Sequence, residues 1–324
     1  MRTTRWELTV SLLFLAVIFP GIASSAPYPT RQIELVVPFA PGGSTDLVSR
    51  VFSEGLSKRL GVPVVVSNKP SGSGAGAAEY VANAKPDGYT LLAPTNTVMV
   101  TLPLTTPNLS YKWTDYTPII RIARIPFIIV IAGDSPFNSM ADIAAHARKN
   151  PGTLNCGITG VGSANHFVIE LWREKEKIDI GVIPYQGGTP VLSAQLGGHL
   201  DFSMTNFPVV ASLVKSGKLK VLATTAKLKE APQVPTFAEL GFPDCNLTLW
   251  ISMFAPGKIP NEVREKLFTE SEKTLADRPV VDKLEGMGFT VEAMNPKAFA
   301  EAIEREMRIL APVAEKLKIE RPQK

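Results

Sequence analysis

The sequence predicts an α/β protein of two domains, each with a mostly parallel sheet flanked by helices. Short apolar runs of strand length alternate along the chain with amphipathic segments of helix length. Two longer apolar stretches, at 119–132 and 247–255, have the character of strands that cross between domains. With 324 residues, 45% of them hydrophobic, the chain is long enough to bury the cores of two such domains.

Residues 1–25 have the features of a cleaved secretory signal peptide. Two arginines precede an apolar run at 8–22, and small residues follow at 23–26. A membrane anchor is the weaker alternative, because the run is short for a span of about 20 residues and contains Pro20 and Gly21. We therefore expect an exported protein whose mature chain begins near residue 26.

Charge, cysteine and histidine content narrow the possible partners. The net charge of +4 is spread over a chain that mixes both signs, which is too mild to predict nucleic-acid binding. Cys156 and Cys245 either form one disulfide after export or remain two buried thiols. His146, His166 and His199 are scattered and have no carboxylate or cysteine at metal-ligand spacing, so we expect neither a metal nor a cofactor.

The first strand–turn–helix unit is the strongest candidate for a binding loop. An apolar strand at 33–37 leads through a Pro/Gly turn into a helix with apolar residues at helical spacing over 47–60. The pair Gly42-Gly43 lacks Cβ atoms, so backbone N–H groups at the positive end of the helix dipole can face an anion. We predict Ser44 or Thr45 as the helix cap. The alternative is an ordinary turn that needs glycine only for its backbone angles.

The remainder of the first domain continues this alternation. A strand at 62–66 is followed by a glycine-rich turn at 70–76, a short helix at 77–84 and a buried strand at 89–93. The polar stretch 94–97 then ends that strand at the carboxyl edge of the sheet, where open α/β sheets bind ligands.

The second domain repeats the scheme. Strands at 154–158 and 180–185 lead through glycine-rich turns at 160–166 and 186–190 into helices, and Thr189 is the predicted cap of the later helix. The other predicted elements of this domain are a helix at 139–149 and strands at 200–204 and 219–224.

The chain then returns to the first domain and ends in two predicted helices, at 261–276 and from 296 onward. The crossing strands place the second domain at 123–252, so that 26–122 and 253–324 form the first. The last helix carries an apolar stripe that predicts core packing rather than a binding groove. The stripe consists of Phe299, Ile303, Met307 and Leu310.

The four glycine-rich turns, two in each domain, all end in Ser, Thr or Asn near a helix start. If the domains face each other across a cleft, several helix N-termini can converge on one small anion. The chain has no G-x-G-x-x-G, G-x-S-x-G or G-x-x-x-x-G-K-[ST] motif. We therefore predict a carboxylate-binding protein and not an enzyme. A cleft hydrolase or transferase is the alternative, which a nucleophile beside a base would support.

The sequence leaves two interpretations of the role of His166 and two of the role of Asp46. His166 either faces the ligand or fixes its own turn. Asp46 would repel an anionic ligand, and the alternative is that its carboxylate accepts backbone N–H bonds and orients the first turn.

Seven segments of the chain resemble, in order, the extracytoplasmic substrate-binding proteins of tripartite tricarboxylate transporters, also called Bug or TctC-type receptors. The most specific segments are PFAPGGSTD at 38–46 and YQGGTP at 185–190 with GGHLD downstream. The others are KPDGYTLL, GVGSANH, SGKLKVLATT and VPTFAELGFP, together with the secretory start. The resemblance covers the mature chain from about Tyr28 to the C-terminus.

The resemblance implies a periplasmic-binding-protein (Venus flytrap) fold and a monomeric periplasmic receptor that presents a small carboxylate to membrane permease subunits. It implies that backbone amides and small hydroxyls of the strand-to-helix loops hold the carboxylate, often through waters. In the first domain it places at the ligand Ala40, Gly43, Ser44, Thr45, Asp46, Thr95 and Asn96. In the second domain it places there Gly162, Ser163, Ala164, His166, Tyr185, Gly187, Gly188, Thr189, Thr205 and Asn206.

The chain departs from the family pattern at one of these positions. It has Thr205-Asn206 where relatives commonly carry an Asp before the Asn, and the loss of an acid would admit a different or more anionic ligand. A periplasmic sensor that reports ligand occupancy to a signalling partner is a further alternative, which the sequence does not separate from a transport receptor.

Overall fold

Two β-sheets with helices on their faces make up residues 28–106 and 108–317, the part of the chain that the computed structural model describes. The predicted signal peptide lies outside these residues. In chain order the strands are β1 (Ile33–Val37), β2 (Val64–Asn68), β3 (Thr90–Leu92), β4 (Tyr116–Pro126), β5 (Ile128–Ala132), β6 (Asn155–Ile158), β7 (Gly181–Pro184), β8 (Phe202–Thr205), β9 (Leu219–Thr224), β10 (Thr248–Pro256) and β11 (Thr290–Met294). The helices are α1 (Ser44–Leu60), α2 (Ala75–Ala82), α3 (Leu102–Thr105), α4 (Met140–Lys149), α5 (Ala164–Glu176), α6 (Gly188–Leu196), α7 (Phe207–Lys215), α8 (Asn261–Leu275), α9 (Arg278–Glu285) and α10 (Pro296–Leu317).

The first sheet has the strand order β11-β4-β10-β3-β1-β2, and the second has the order β7-β6-β8-β5-β9. In each sheet the strands followed by glycine-rich turns pair in parallel with their neighbours, β1 with β2 and β3, and β6 with β7 and β8. The remaining strands pair antiparallel. The predicted two-domain α/β fold is confirmed. The sheets are mixed because β10 and β11 in the first sheet, and β5 in the second, run against the other strands.

The apolar run of β1 reflects burial on both faces of the first sheet. Ile33, Leu35 and Val37 pack with the apolar face of α1, whereas Val36 packs on the other side with residues of α2 and α10. A central strand covered by helices on both faces needs apolar residues at successive positions and not at alternate ones. This packing fixes where β1 ends and its turn begins.

The chain crosses between the sheets at Phe127. β4 ends at Pro126 in the first sheet and β5 begins at Ile128 in the second. The return comes before Thr248, which pairs with Pro126 at the start of β10. On this pairing we propose domain borders at 127 and near 247, a few residues from the predicted 123 and 252.

Phe167, on α5, couples the cores of the two domains. Its fully buried side chain packs in the cluster formed by first-domain residues such as Val98, Phe299 and Ile303. The apolar stripe of α10 is part of the same cluster, so its predicted role in core packing is confirmed. The α5 helix of the second domain is therefore anchored in the first.

The two cysteines are free and buried. Cys156 lies on β6 in the second sheet and Cys245 precedes β10. Of the two alternatives that the sequence left open, the structure shows the pair of buried thiols.

Candidate functional site

The four glycine-rich turns meet in two pairs between the sheets. We number them along the chain: the first turn is 38–43, the second 69–74, the third 159–163 and the fourth 185–187. The first turn faces the fourth, and the second faces the third. Each pair joins one turn of the first domain to one of the second.

Backbone and hydroxyl contacts hold the first turn against the fourth. The Ala40 N–H donates to the Gln186 carbonyl at 3.5 Å, and the Thr189 hydroxyl donates to the Pro41 carbonyl at 2.9 Å. Gly42 adopts a φ of +79°, and a Cβ added there would lie 3.3 Å from the Thr189 Oγ1. Glycine is required at this position for its backbone angle and for the close approach of the fourth turn.

A small cavity lies beside this contact. Its volume is about 30 Å³, room for about two or three water molecules. The residues that line it come from the first and fourth turns, from strand ends and from the crossing between the sheets. They are Phe39, Gly43, Ser44, Thr45, Thr97, Phe127, Thr159, Gly187, Gly188, Asn206 and Leu249.

Two helices begin at the cavity without a side-chain cap. Gly43 is the N-cap of α1 and Gly187 that of α6, and no side-chain cap bond forms at either helix among the described residues. The predicted caps are wrong: Ser44 and Thr45 lie inside the first turn of α1, and Thr189 lies inside that of α6. Because glycine occupies both cap positions, the first N–H groups of two helices remain available to an anion.

The cavity wall contains hydroxyl and amide groups but no ionisable side chain. Its hydroxyls and amide belong to Ser44, Thr45, Thr97, Thr159 and Asn206. The Ser44 hydroxyl and the Asn206 Oδ1 lie 3.4 Å apart, which links the two domains. The residues that line the cavity include no His, Cys, Asp, Glu or Lys, so the wall offers a nucleophile without a base.

Asp46 holds the shape of the first turn. Its carboxylate accepts hydrogen bonds from the Gly42 N–H at 2.9 Å, from Arg50 Nε at 2.9 Å and from Asn68 Nδ2 at 3.0 Å. Burial alone would raise the pKa of Asp46, but the bonds from Arg50, Gly42 and Asn68 lower the pKa below its ordinary value. These contacts match the second interpretation of Asp46, in which its carboxylate accepts backbone N–H bonds and orients the first turn.

The stability that Asp46 supplies should disappear in acid. Since its pKa is lower in the folded state than its ordinary 3.8, its contribution is complete above about pH 4 and is lost as the pH falls through the folded pKa. We expect Asp46→Asn to lower the free energy of unfolding by about 1.5–3 kcal/mol at pH 7. The difference from wild type should shrink towards pH 3, measured by thermal unfolding across that range.

Asp142→Asn is the matched control for this prediction. Asp142 is also the third residue of its helix and accepts a backbone N–H, that of Asn138 at 2.8 Å, but it is exposed. We expect a smaller loss for this variant. An equal loss in both variants at pH 7, or a loss in Asp46→Asn that does not change with pH, would contradict the assigned role.

The third turn contacts the first domain through its own backbone groups. Ser73 Oγ donates to the Val161 carbonyl at 3.2 Å, and Thr101 Oγ1 donates to the Gly162 carbonyl at 2.5 Å. The Ala164 N–H donates to the Thr97 Oγ1 at 3.2 Å. These backbone groups are therefore engaged by the other domain, and the helix that follows is held against it.

Ser163 and His166 fix the third turn internally. Ser163 caps α5, its hydroxyl accepting the His166 N–H at 3.3 Å. The His166 Nδ1 accepts the Gly162 N–H at 3.1 Å, and its Nε2 lies 3.4 Å from Glu170 Oε1. Burial would raise the pKa of Glu170, but His166 and Arg173 lower it. These contacts match the second interpretation of His166, in which its side chain fixes its own turn.

Thr95 and Asn96 follow β3 in the chain, and their side chains are buried. The Asn96 amide donates to the Thr248 carbonyl at 2.9 Å and to Glu306 Oε1 at 3.1 Å. Burial raises the pKa of Glu306, although hydrogen bonds from Trp250 and Asn96 act to lower it. Asn96 thus supports the segment before Thr97, which does line the cavity.

Tyr185 and Thr205 occupy different surroundings in the second domain. Tyr185 packs against the small cluster of Val191, Ala194 and Leu200. The Thr205 hydroxyl is buried and has no hydrogen-bond partner among the described residues. It lies 3.3 Å from the position that a Cβ on Gly188 would take, next to the start of α6.

The structure thus gathers six of the predicted site residues around the cavity, and the others do not line it. The six are Gly43, Ser44, Thr45, Gly187, Gly188 and Asn206. Sequence reasoning missed Phe39, Thr97, Phe127, Thr159 and Leu249. Phe39, Thr97 and Thr159 adjoin predicted turns and could have been included, whereas Phe127 and Leu249 lie in apolar runs with no signal of a site.

The described residues also bear on two other kinds of site, a metal centre and a membrane span. No group of three or more His, Cys, Asp or Glu side chains comes together there in a way that could hold a metal ion. Among the helices of residues 28–317 apart from 107, none has both the length and the apolar character needed to cross a bilayer.

The sequence matches the model of one protein family, the tripartite tricarboxylate transporter family receptor, over residues 48–319. A UPF0065 protein of Bordetella pertussis is 32% identical over 290 residues, which cover 89% of this chain and 88% of the relative. Protein BugT of the same organism is 29% identical over 326 residues, covering 98% of this chain and all of the relative.

Solved structures of similar proteins share the fold over almost their whole length. The periplasmic binding protein BugD is 30% identical, with a TM-score of 0.86, over 90% of this chain and 99% of its own. Rpa4515 of R. palustris, solved with adipate, is 32% identical with the same TM-score and coverage. MatC of Rhodopseudomonas palustris, solved with bound malate, is 27% identical with a TM-score of 0.83, over 88% of this chain and 99% of its own.

Proposed function

Because this chain belongs to the family of tripartite tricarboxylate transporter receptors, we propose that it captures a small organic carboxylate between its two domains and delivers it to a membrane permease of that type. The family consists of solute-binding receptors, and the expected family membership is confirmed. The carboxylate ligand, the site residues and the permease partner are proposals. So are export through a cleaved signal peptide, action as a monomer and the absence of catalysis.

The observation that carries the proposal is the cavity between two uncapped helix starts. Gly43 of α1 and Gly187 of α6 come from different domains and line the same space. Each helix end stabilises an anion by about 0.3–1 kcal/mol, while micromolar affinity needs about 8 kcal/mol. Direct hydrogen bonds from the cavity hydroxyls and from bridging waters must therefore supply most of the affinity.

The solved relatives support the ligand class. Two of them were determined with carboxylates, adipate in one and malate in the other. In this chain, the absence of ionisable side chains from the wall favours recognition of the carboxylate by neutral donors. Such donors bind an anion without the desolvation of a second buried charge.

Binding by the mature protein, residues 26–324, tests the ligand class. Thermal unfolding is measured with a panel of carboxylates and with the corresponding primary amides, which keep the carbon skeleton but lose the charge. A carboxylate at 100 times its dissociation constant should add about 2.7 kcal/mol to the free energy of unfolding, whereas its amide should add little. Stabilisation by amides or amines but by no carboxylate would contradict the proposal.

Uptake into vesicles that contain the permease subunits tests delivery. We expect labelled ligand to accumulate only when the receptor is present. Ligand binding without any receptor-dependent uptake would reject the transport role and favour the periplasmic sensor.

A further inference from the structure

We propose that Phe127, with Leu249 beside it, sets the length of carbon chain that the cavity accepts, so that the ligand is a short-chain acid. This inference rests on the proposed function and adds to it the size of the substrate. It concerns two cavity residues that lie outside the glycine-rich turns.

The crossing between the sheets supplies an apolar wall of the cavity. Phe127 joins β4 to β5, and Leu249, on β10, pairs with Ile125 of β4. Their side chains are 2% and 8% exposed, and both line the cavity. If the helix starts of the first and fourth turns hold the carboxylate, the carbon chain must extend over the rest of the wall, which includes these two side chains.

Hydrogen bonds to both its N–H and its carbonyl hold the backbone of Phe127 in place. Its N–H donates to the Thr225 Oγ1 at 3.0 Å. Its carbonyl accepts the Thr225 N–H at 2.9 Å and the Thr224 hydroxyl at 3.2 Å. A backbone shift that moved the ring away from the cavity would break these three bonds. It would also disturb β4 and β5, the strands that Phe127 joins and that pair in different sheets.

The small size of the cavity favours a short acid. An engineered apolar cavity of about 150 Å³ binds benzene, whereas this cavity measures about 30 Å³, so any acid must part the domains and a short one parts them least. A longer chain would have to hold the domains further apart, at the expense of the contacts of Ser44 with Asn206 and of Thr189 with Pro41. The ring of Phe127 is the largest group that can be removed from the crossing wall to relieve this conflict.

Calorimetric titration with a homologous series tests the proposal. The probes are straight-chain mono- and dicarboxylates of three to eight carbons, titrated into the mature wild type, Phe127→Ala and Phe127→Leu. Phe137→Ala is the matched control, because it removes a half-buried phenylalanine that packs on His146 of α4, away from the cavity.

We expect the wild type to bind acids of four carbons or fewer at least tenfold more tightly than acids of six or more. Phe127→Ala should shift this ratio at least tenfold towards the longer acids, and Phe127→Leu should shift it part of the way if the alanine variant does not fold. Phe137→Ala should keep the wild-type ratio.

An unchanged ratio in the Phe127 variants, or equal binding of short and long acids by the wild type, would overturn the length limit while leaving the carboxylate function intact. If no acid of any length binds to the wild type, the proposed function itself fails.

Discussion

A Gly43→Val protein should fold as the wild type does and bind its carboxylate at least 100-fold more weakly, a loss of about 2.7 kcal/mol. Gly43 has φ −76° and ψ 166°, which any residue adopts without strain. A Cβ there would lie 3.5 Å from the Ala40 carbonyl oxygen and 3.9 Å from the Gly188 nitrogen, both ordinary contacts. The two valine methyls, however, would enter the space between the two helix starts. Calorimetric titration measures the loss, and thermal unfolding without ligand checks the fold.

Gly43→Ala is the graded control for this prediction. It adds the Cβ but not the methyls, so we expect it to weaken binding by less than tenfold. If Gly43→Val binds as tightly as the alanine variant while both remain folded, the gap between α1 and α6 is not where the ligand lies.

The fold could be predicted from the sequence because its signals are local. Apolar runs located β1, β6 and β9 to within a residue or so, since a buried strand needs successive apolar side chains. The sequence missed β11 and the helices α3, α7 and α9. β11 is an edge strand whose residues are exposed or half-buried, so it lacks the apolar run of a core strand.

The helix caps show where local reasoning about the site failed. Ser and Thr are favoured caps, and both hydroxyl residues after Gly43 fit that preference. In the structure a glycine occupies the cap position at α1 and at α6, and the Thr189 hydroxyl instead reaches the other domain. A contact across the domain boundary determined the outcome, and sequence spacing does not report such contacts.

Long-range contacts also explain the positions of Asn96 and Phe127. Asn96 turns towards Glu306, which is 210 residues away in the chain. Phe127 enters the cavity because two sheets meet at that residue. In both cases the residue type is common in its sequence context. The residue lies at or beside the site only because elements that are distant in the chain pack there.

Phe167→Ala should lower the free energy of unfolding by about 3–5 kcal/mol. Phe167 is fully buried and belongs to α5 of the second domain, yet it packs with Phe299 and Ile303 of the first. Removing the ring leaves a cavity where the domains join, and the hydrogen bonds of the third turn then remain the main link there. We therefore expect weaker carboxylate binding as well, because open molecules must close before they bind. Calorimetry measures the stability, and small-angle scattering measures the radius of gyration.

Phe202→Ala is the matched control, because Phe202 is equally buried but packs on Trp172 within the second domain. It should lower stability by a similar amount, since the same ring is lost from a core. Only Phe167→Ala should increase the radius of gyration of the folded protein, because Phe167 is the second-domain residue that packs in a cluster otherwise formed by the first domain. If both variants keep the wild-type radius and the wild-type affinity, Phe167 acts as an ordinary core residue, and the closed arrangement of the domains depends on the contacts of the turns alone.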